Sequence, residues 1–141
     1  MNRTASAVWQ GDLKTGKGEL SSASGVLKST PYSFATRFGD TPGTNPEELI
    51  AAAHAGCFTM ALSAQLAGVG ITAERLETTA TVSMEKLDAG WTITAVHLEV
   101  KAKIPGAPQE AFDKAAAEAK ANCPVSRVLN AKITMTATLE A

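Results

Sequence analysis

The chain has 141 residues, a formal net charge of −1 and two cysteines. That length fits one domain spanning 1–141, with a core large enough to stand without cross-links. The near-neutral charge gives no reason to expect nucleic acid or an anionic membrane as partner, and Met-Asn-Arg-Thr-Ala-Ser at the start lacks the apolar run of a secretory signal, so a cytoplasmic protein with reduced thiols is expected. In chain order, residues 3–40 read as strands. Ala5–Trp9 alternates loosely, and Lys17–Ser22 follows a Gly16 turn. Pro31–Phe38 alternates cleanly, with Tyr32, Phe34, Thr36 and Phe38 on one face and Ser33, Ala35 and Arg37 on the other.

A turn at 39–44 leads into a long helix. Asn45 suits the N-cap and Pro46 the first helical position, while Glu48 can close a capping box with Asn45. The helix is expected to run to about Ala67. The stretch Leu49–Ala73 carries no charged residue. A membrane span would need about 20 mostly apolar residues, but here Ala, Gly, Ser and Thr dominate, so a buried soluble helix is expected. Thr72–Met84 and Trp91–Ile104 flank Asp88-Ala-Gly90 and read as an antiparallel hairpin. Gln109–Asn122 has helical spacing, with Phe112, Ala115, Ala116 and Ala119 on one face. A short helix should start at Pro124, and 131–139 should close the chain as a strand. Strands and helices do not alternate regularly, so the fold class is α+β.

The long helix is apolar on all sides and must be covered on all sides. Ala51, Ala52, Ala53, Ala55, Gly56 and Ala61 would let another backbone approach closely. A second copy of the chain is the simplest cover, so a homodimer is expected.

The two cysteines lie in different settings. Cys57 falls mid-helix, and Cys123 directly precedes Pro124 at a helix start. They are too far apart in sequence for a CxxC motif. By helix position alone Cys123 is the more acidic thiol. Cys57 would need a nearby cation to become reactive, and Arg37 is the candidate, since a guanidinium stays charged and can serve a thiolate and an oxygen ligand together. Either thiol, or Arg37, could instead be an ordinary packing or surface residue. Glu47 and Glu48 both open the helix. With Glu48 engaged at the cap, Glu47 is free to hold Arg37 in a bidentate pair; with Thr44 as cap the two glutamates exchange roles. His54 shares a helical face with Cys57 and reads chiefly as core packing. The only other histidine, His97, falls in a strand, so no zinc site is expected. There is no GxGxxG, Walker or GxSxG motif.

Thr44-Asn-Pro-Glu-Glu-Leu-Ile-Ala-Ala-Ala-His-Ala-Gly-Cys57-Phe, followed by Asn122-Cys-Pro-Val-Ser126, resembles the OsmC/Ohr family of hydroperoxide-resistance proteins. The likeness extends through Trp9-Gln-Gly-Asp12, Gly16-Lys-Gly18, Ser24-Gly-Val-Leu27 and Asp88-Ala-Gly90. His54 and the early Arg37 look like the OsmC branch. The resemblance implies an intertwined homodimer with antiparallel sheets around long central helices. It implies a peroxidase for small hydroperoxides, organic ones preferred over hydrogen peroxide, regenerated by a dithiol and needing no cofactor or metal. It assigns Cys57 as the peroxidatic residue and Cys123 as the resolving one, with Arg37 and Glu47 in support. The rival readings are a thiol–disulfide oxidoreductase and a non-enzymatic dimer that binds a small molecule or lipid. Glu47 and Cys57 stand ten residues apart on one helix, about 15 Å along its axis and about 80° around it. An arginine held by Glu47 is therefore expected to serve Cys57 of a second copy.

Overall fold

The computed structural model describes residues 1–140 and holds six strands and four helices among them. They follow in the order β1 (Ala5–Gln10), β2 (Lys17–Ser22), β3 (Thr30–Tyr32), α1 (Phe34–Phe38), α2 (Pro46–Gly68), β4 (Arg75–Leu87), β5 (Gly90–Lys103), α3 (Gln109–Asn122), α4 (Pro124–Val128) and β6 (Lys132–Glu140). The class is α+β, as the sequence reads. Two compact units divide the chain after Leu49.

In the first unit β1, β2 and β3 form an antiparallel meander. Trp9 on β1 and Tyr32 on β3 lie on either side of β2, with ring centroids 5.5 Å apart. Gly18 of β2 pairs with both. A Cβ at Gly18 would meet the Tyr32 ring at 2.5 Å and the Trp9 ring at 2.6 Å, so only glycine lets the rings close over the strand.

One expected strand is corrected here. Alternation ends at Tyr32, and Phe34–Phe38 is helical. Ser33 decides it. Its Oγ accepts from the Thr36 N–H at 3.2 Å, and the Thr36 hydroxyl oxygen accepts from the Ser33 N–H at 2.9 Å. This capping box supplies a local hydrogen-bonded start that outweighs a two-residue apolar period. The alternating aromatics fit a helix equally well, since Phe34 and Phe38 are four apart and their rings meet at 4.9 Å. Asn45 then caps α2, its Oδ1 accepting from the Glu48 N–H at 2.8 Å.

In the second unit β4 and β5 form the expected hairpin, with a register shift at Ser83/Met84. The expected antiparallel sheets are corrected at one strand: β6 pairs parallel to β5, so this sheet is mixed. The physical reason is the connection: α3 and α4 carry the chain back before β6 begins, as a parallel pair requires. Every second residue of β5 from Val96 is buried: Val96, Leu98, Val100 and Ala102. Against this apolar cluster α3 sets the expected Phe112, Ala115, Ala116 and Ala119. From α2 come His54, Phe58, Leu62 and Leu66, one residue in four. By length and composition α2 could cross a membrane. Instead, three apolar side chains of that stripe sit in the protein core, while Met60 on another face is 78% exposed.

Candidate active site

Cys57 stands one residue before Phe58 on α2, beside the buried stripe and packed against the core that includes Cys123. Both cysteines are free thiols, and the Cys123 thiol acts directly on Cys57. The fold thus brings together two sulfurs from distant parts of the sequence. Burial pushes the Cys57 thiol upward. The Cys123 thiol beside it adds to that shift, and the Val125 backbone N–H opposes it. Among the described residues of this unit, no cation acts on Cys57.

Cys123 joins two helices. Its N–H donates to the Ala119 carbonyl at 3.0 Å, ending α3. Its sulfur accepts from the Ser126 N–H at 3.3 Å, opening α4. Pro124 at the first position of α4 has no N–H to leave unsatisfied. The Ser126 hydroxyl lies 3.1 Å from the same sulfur and 2.8 Å from His54 Nε2. All three residues are buried. A polar chain therefore runs His54–Ser126–Cys123 and ends next to Cys57. Sequence reading placed His54 in the core, and it is fully buried there, but it also makes this hydrogen bond. Ser126 carried no role in that reading. The only signal available was its place three residues after Cys123, where a helix-start residue meets its capping partner.

Burial alone holds His54 below its ordinary pKa. The unfolded chain takes up this proton near pH 6.5, while the folded chain resists it until lower pH. The unfolded state then binds more protons, so stability falls as pH drops from about 6.5 through the folded value. His54→Gln should remove up to about 1.4 kcal/mol per pH unit from that acid slope. Urea unfolding at stepped pH measures it. An acid slope unchanged by the substitution would show that His54 is not the group responsible.

In the first unit the sequence-derived pair is present. Arg37, in the last turn of α1, donates to Glu47 through Nη2 at 2.8 Å and through Nε at 3.1 and 3.3 Å to the two carboxylate oxygens. Glu47 rather than Glu48 is thus the partner, and its side chain is only 13% exposed. The guanidinium also lies over the Phe38 ring, 5.3 Å from its centroid. It borders a cleft of about 260 Å³ lined by Trp9, Leu13, Tyr32, Ser33, Phe34 and Phe38. An aromatic hollow with one fixed cation at its edge suits a molecule with an apolar body and a polar oxygen end.

The OsmC-like protein family matches residues 38–138. The chain belongs to that family. It is 50% identical to the peroxiredoxin OsmC of Escherichia coli (strain K12) over 135 residues, covering 96% of this chain and 94% of the relative. Among solved structures, an organic hydroperoxide resistance protein from Elizabethkingia anophelis aligns with a TM-score of 0.75 at 25% identity, over 99% of each chain. An OsmC-like protein of Vibrio cholerae gives a TM-score of 0.79 at 16% identity, over 97% of this chain and 99% of that one, a likeness of fold.

Proposed function

We propose that this chain is a thiol peroxidase that reduces organic hydroperoxides by way of a Cys57–Cys123 disulfide. One observation carries the mechanism: two reduced thiols, remote in sequence, are neighbours inside one core. Peroxidase is also what its half-identical relative is named for.

The Cys57 thiolate attacks the outer oxygen of ROOH. The O–O bond breaks, the sulfur is oxidised to sulfenic acid, and the alkoxide leaves as ROH after taking a proton. Arg37, locked by Glu47, stabilises the thiolate and the charge growing on the leaving oxygen. Cys123 then attacks the sulfenic sulfur, forming the disulfide and releasing water. An external dithiol restores both thiols by exchange and is itself oxidised to a disulfide. The aromatic cleft beside Arg37 favours an organic hydroperoxide over hydrogen peroxide, since its walls gain only from an apolar substituent. Reducing the disulfide after each turnover suits a cytoplasmic enzyme.

The second half of the reading is a homodimer with shared sites. Most of α2 outside its stripe is small and partly exposed, and Met60 is open to solvent. A second α2 would cover these faces. No cation among the described residues of its unit acts on Cys57, and the reach argument along one helix favours Arg37 of a partner subunit.

A direct test uses the reduced protein and one equivalent of an alkyl hydroperoxide. Both free thiols should disappear, with one disulfide formed within each chain by mass. Intact thiols after excess hydroperoxide would sink the enzyme. A thiol–disulfide oxidoreductase would present an exposed attacking sulfur, whereas Cys123 is 1% exposed.

A further inference from the structure

The chain His54–Ser126–Cys123 has a direction. The Ser126 hydroxyl carries one proton for two neighbours, His54 Nε2 at 2.8 Å and the Cys123 sulfur at 3.1 Å. Two arrangements are open. In one, His54 carries its proton on Nδ1 and Ser126 donates to Nε2. In the other, Nε2–H donates to Ser126, and Ser126 donates to the sulfur.

The far side of the ring decides between them. His54 Nδ1 is buried and has no hydrogen-bond partner. Buried N–H groups left without an acceptor are rarer than acceptors left short of a donor. The first arrangement strands an N–H there, and the second leaves only a bare lone pair. Burial also keeps the ring neutral, so His54 is a poor proton acceptor for Cys123.

We propose that His54 and Ser126 are positioning residues for the resolving cysteine: neutral His54, protonated on Nε2, turns the Ser126 hydroxyl proton onto the Cys123 sulfur. The proposal rests on the assignment of Cys123 as the resolving residue. The sulfur then receives two donors from one serine, the hydroxyl at 3.1 Å and the backbone N–H at 3.3 Å. Two donors hold the sulfur in one orientation and can take up negative charge as it develops there during attack. The thiolate pair enters the Cys57 sulfenic sulfur, the S–O bond breaks, and the hydroxide leaves as water with the proton that Cys123 gave up. The titratable groups the structure places around this sulfur are Cys57 on α2 and, through Ser126, His54. Cys57 is already oxidised and uncharged at this step. Ser126 donors therefore set the direction in which the Cys123 sulfur attacks.

Three measurements on the full chain test this. Ring ¹⁵N shifts of His54 in the reduced wild type should report a proton on Nε2 and none on Nδ1. The opposite tautomer would overturn the proposal without any variant having to fold. In a Cys57→Ala background, Cys123 should react more slowly with a small disulfide reagent at one fixed neutral pH when Ser126→Ala is added. This needs no peroxide, so it stands even where the peroxidase reading fails. With Cys57 present, Ser126→Ala lets sulfenic acid formation and disulfide formation be timed separately. It should slow disulfide formation about tenfold at neutral pH, the scale of one hydrogen bond to a charged group. Ser126→Thr, which keeps the hydroxyl, should restore the rate. Unchanged Cys123 reactivity in Ser126→Ala, or disulfide formation as fast in Ser126→Ala as in wild type, would refute the role.

Discussion

Cys57→Ser should abolish hydroperoxide reduction, by about a thousandfold or more, because an alcohol at neutral pH supplies almost none of its anion. Cys123→Ser should behave differently. Its Cys57 should still consume the first equivalent of hydroperoxide at nearly the wild-type rate, then stop as a sulfenic acid that a sulfenate-specific reagent captures. With excess hydroperoxide it should climb to sulfinic acid. The contrast separates the two sulfurs by role rather than by total activity. If Cys57→Ser kept the burst and Cys123→Ser lost it, the assignment would be reversed, as the helix position of Cys123 suggests on its own. The structure supplies the reason to expect otherwise, because Cys123 is buried and already committed to joining two helices.

Arg37→Met should slow the peroxide step by about ten- to a hundredfold at neutral pH. The sign follows from what surrounds Cys57. Burial and Cys123 raise its pKa, and the Val125 N–H acts against them. On the proposed sharing of the site, removing the partner's guanidinium would leave fewer thiolates at pH 7, each unit of pKa costing a factor of ten. The deficit should narrow as pH rises and the thiol ionises unaided. Arg37→Lys should recover only part, because an ammonium cannot reproduce the two-pronged grip on Glu47. Mixing Cys57→Ser chains with Arg37→Met chains probes the sharing. Heterodimers should regain one working site when the cation comes from the partner subunit. No gain over the parents would mean that each chain is self-contained. A Cys57 titration identical in wild type and Arg37→Met would remove Arg37 from the mechanism altogether.

The long elements were legible because their patterns are long. The 109–122 helix showed its buried face in sequence, and the structure buries those four residues. The hairpin showed through its β-branched runs and Gly90 turn. One short element was misread, where two periods fit the same letters. Tyr32, Phe34 and Phe38 satisfy a strand period up to the point where Ser33 and Thr36 lock a helical turn. Parallel pairing of β6 was not legible, because strand composition does not record direction. At the site, charge and spacing offered Arg37 two partners, Glu47 and Glu48; the family resemblance favoured Glu47, and the structure holds Arg37 to Glu47. Ser126 could not be found that way. Its significance depends on His54, far away in sequence, and on the fold that brings the two into contact.

The one-in-four stripe of α2 has a consequence for how this protein can change. His54, Phe58, Leu62 and Leu66 hold the helix at one rotation about its axis. A slip of one residue would turn every side chain by about 100°. Cys57 would then face away from Cys123, and His54 away from Ser126. Apolar packing is therefore the aiming device for the sulfur chemistry. Drift along the stripe is constrained twice, once by the core it fills and once by the direction in which a neighbouring thiol must point.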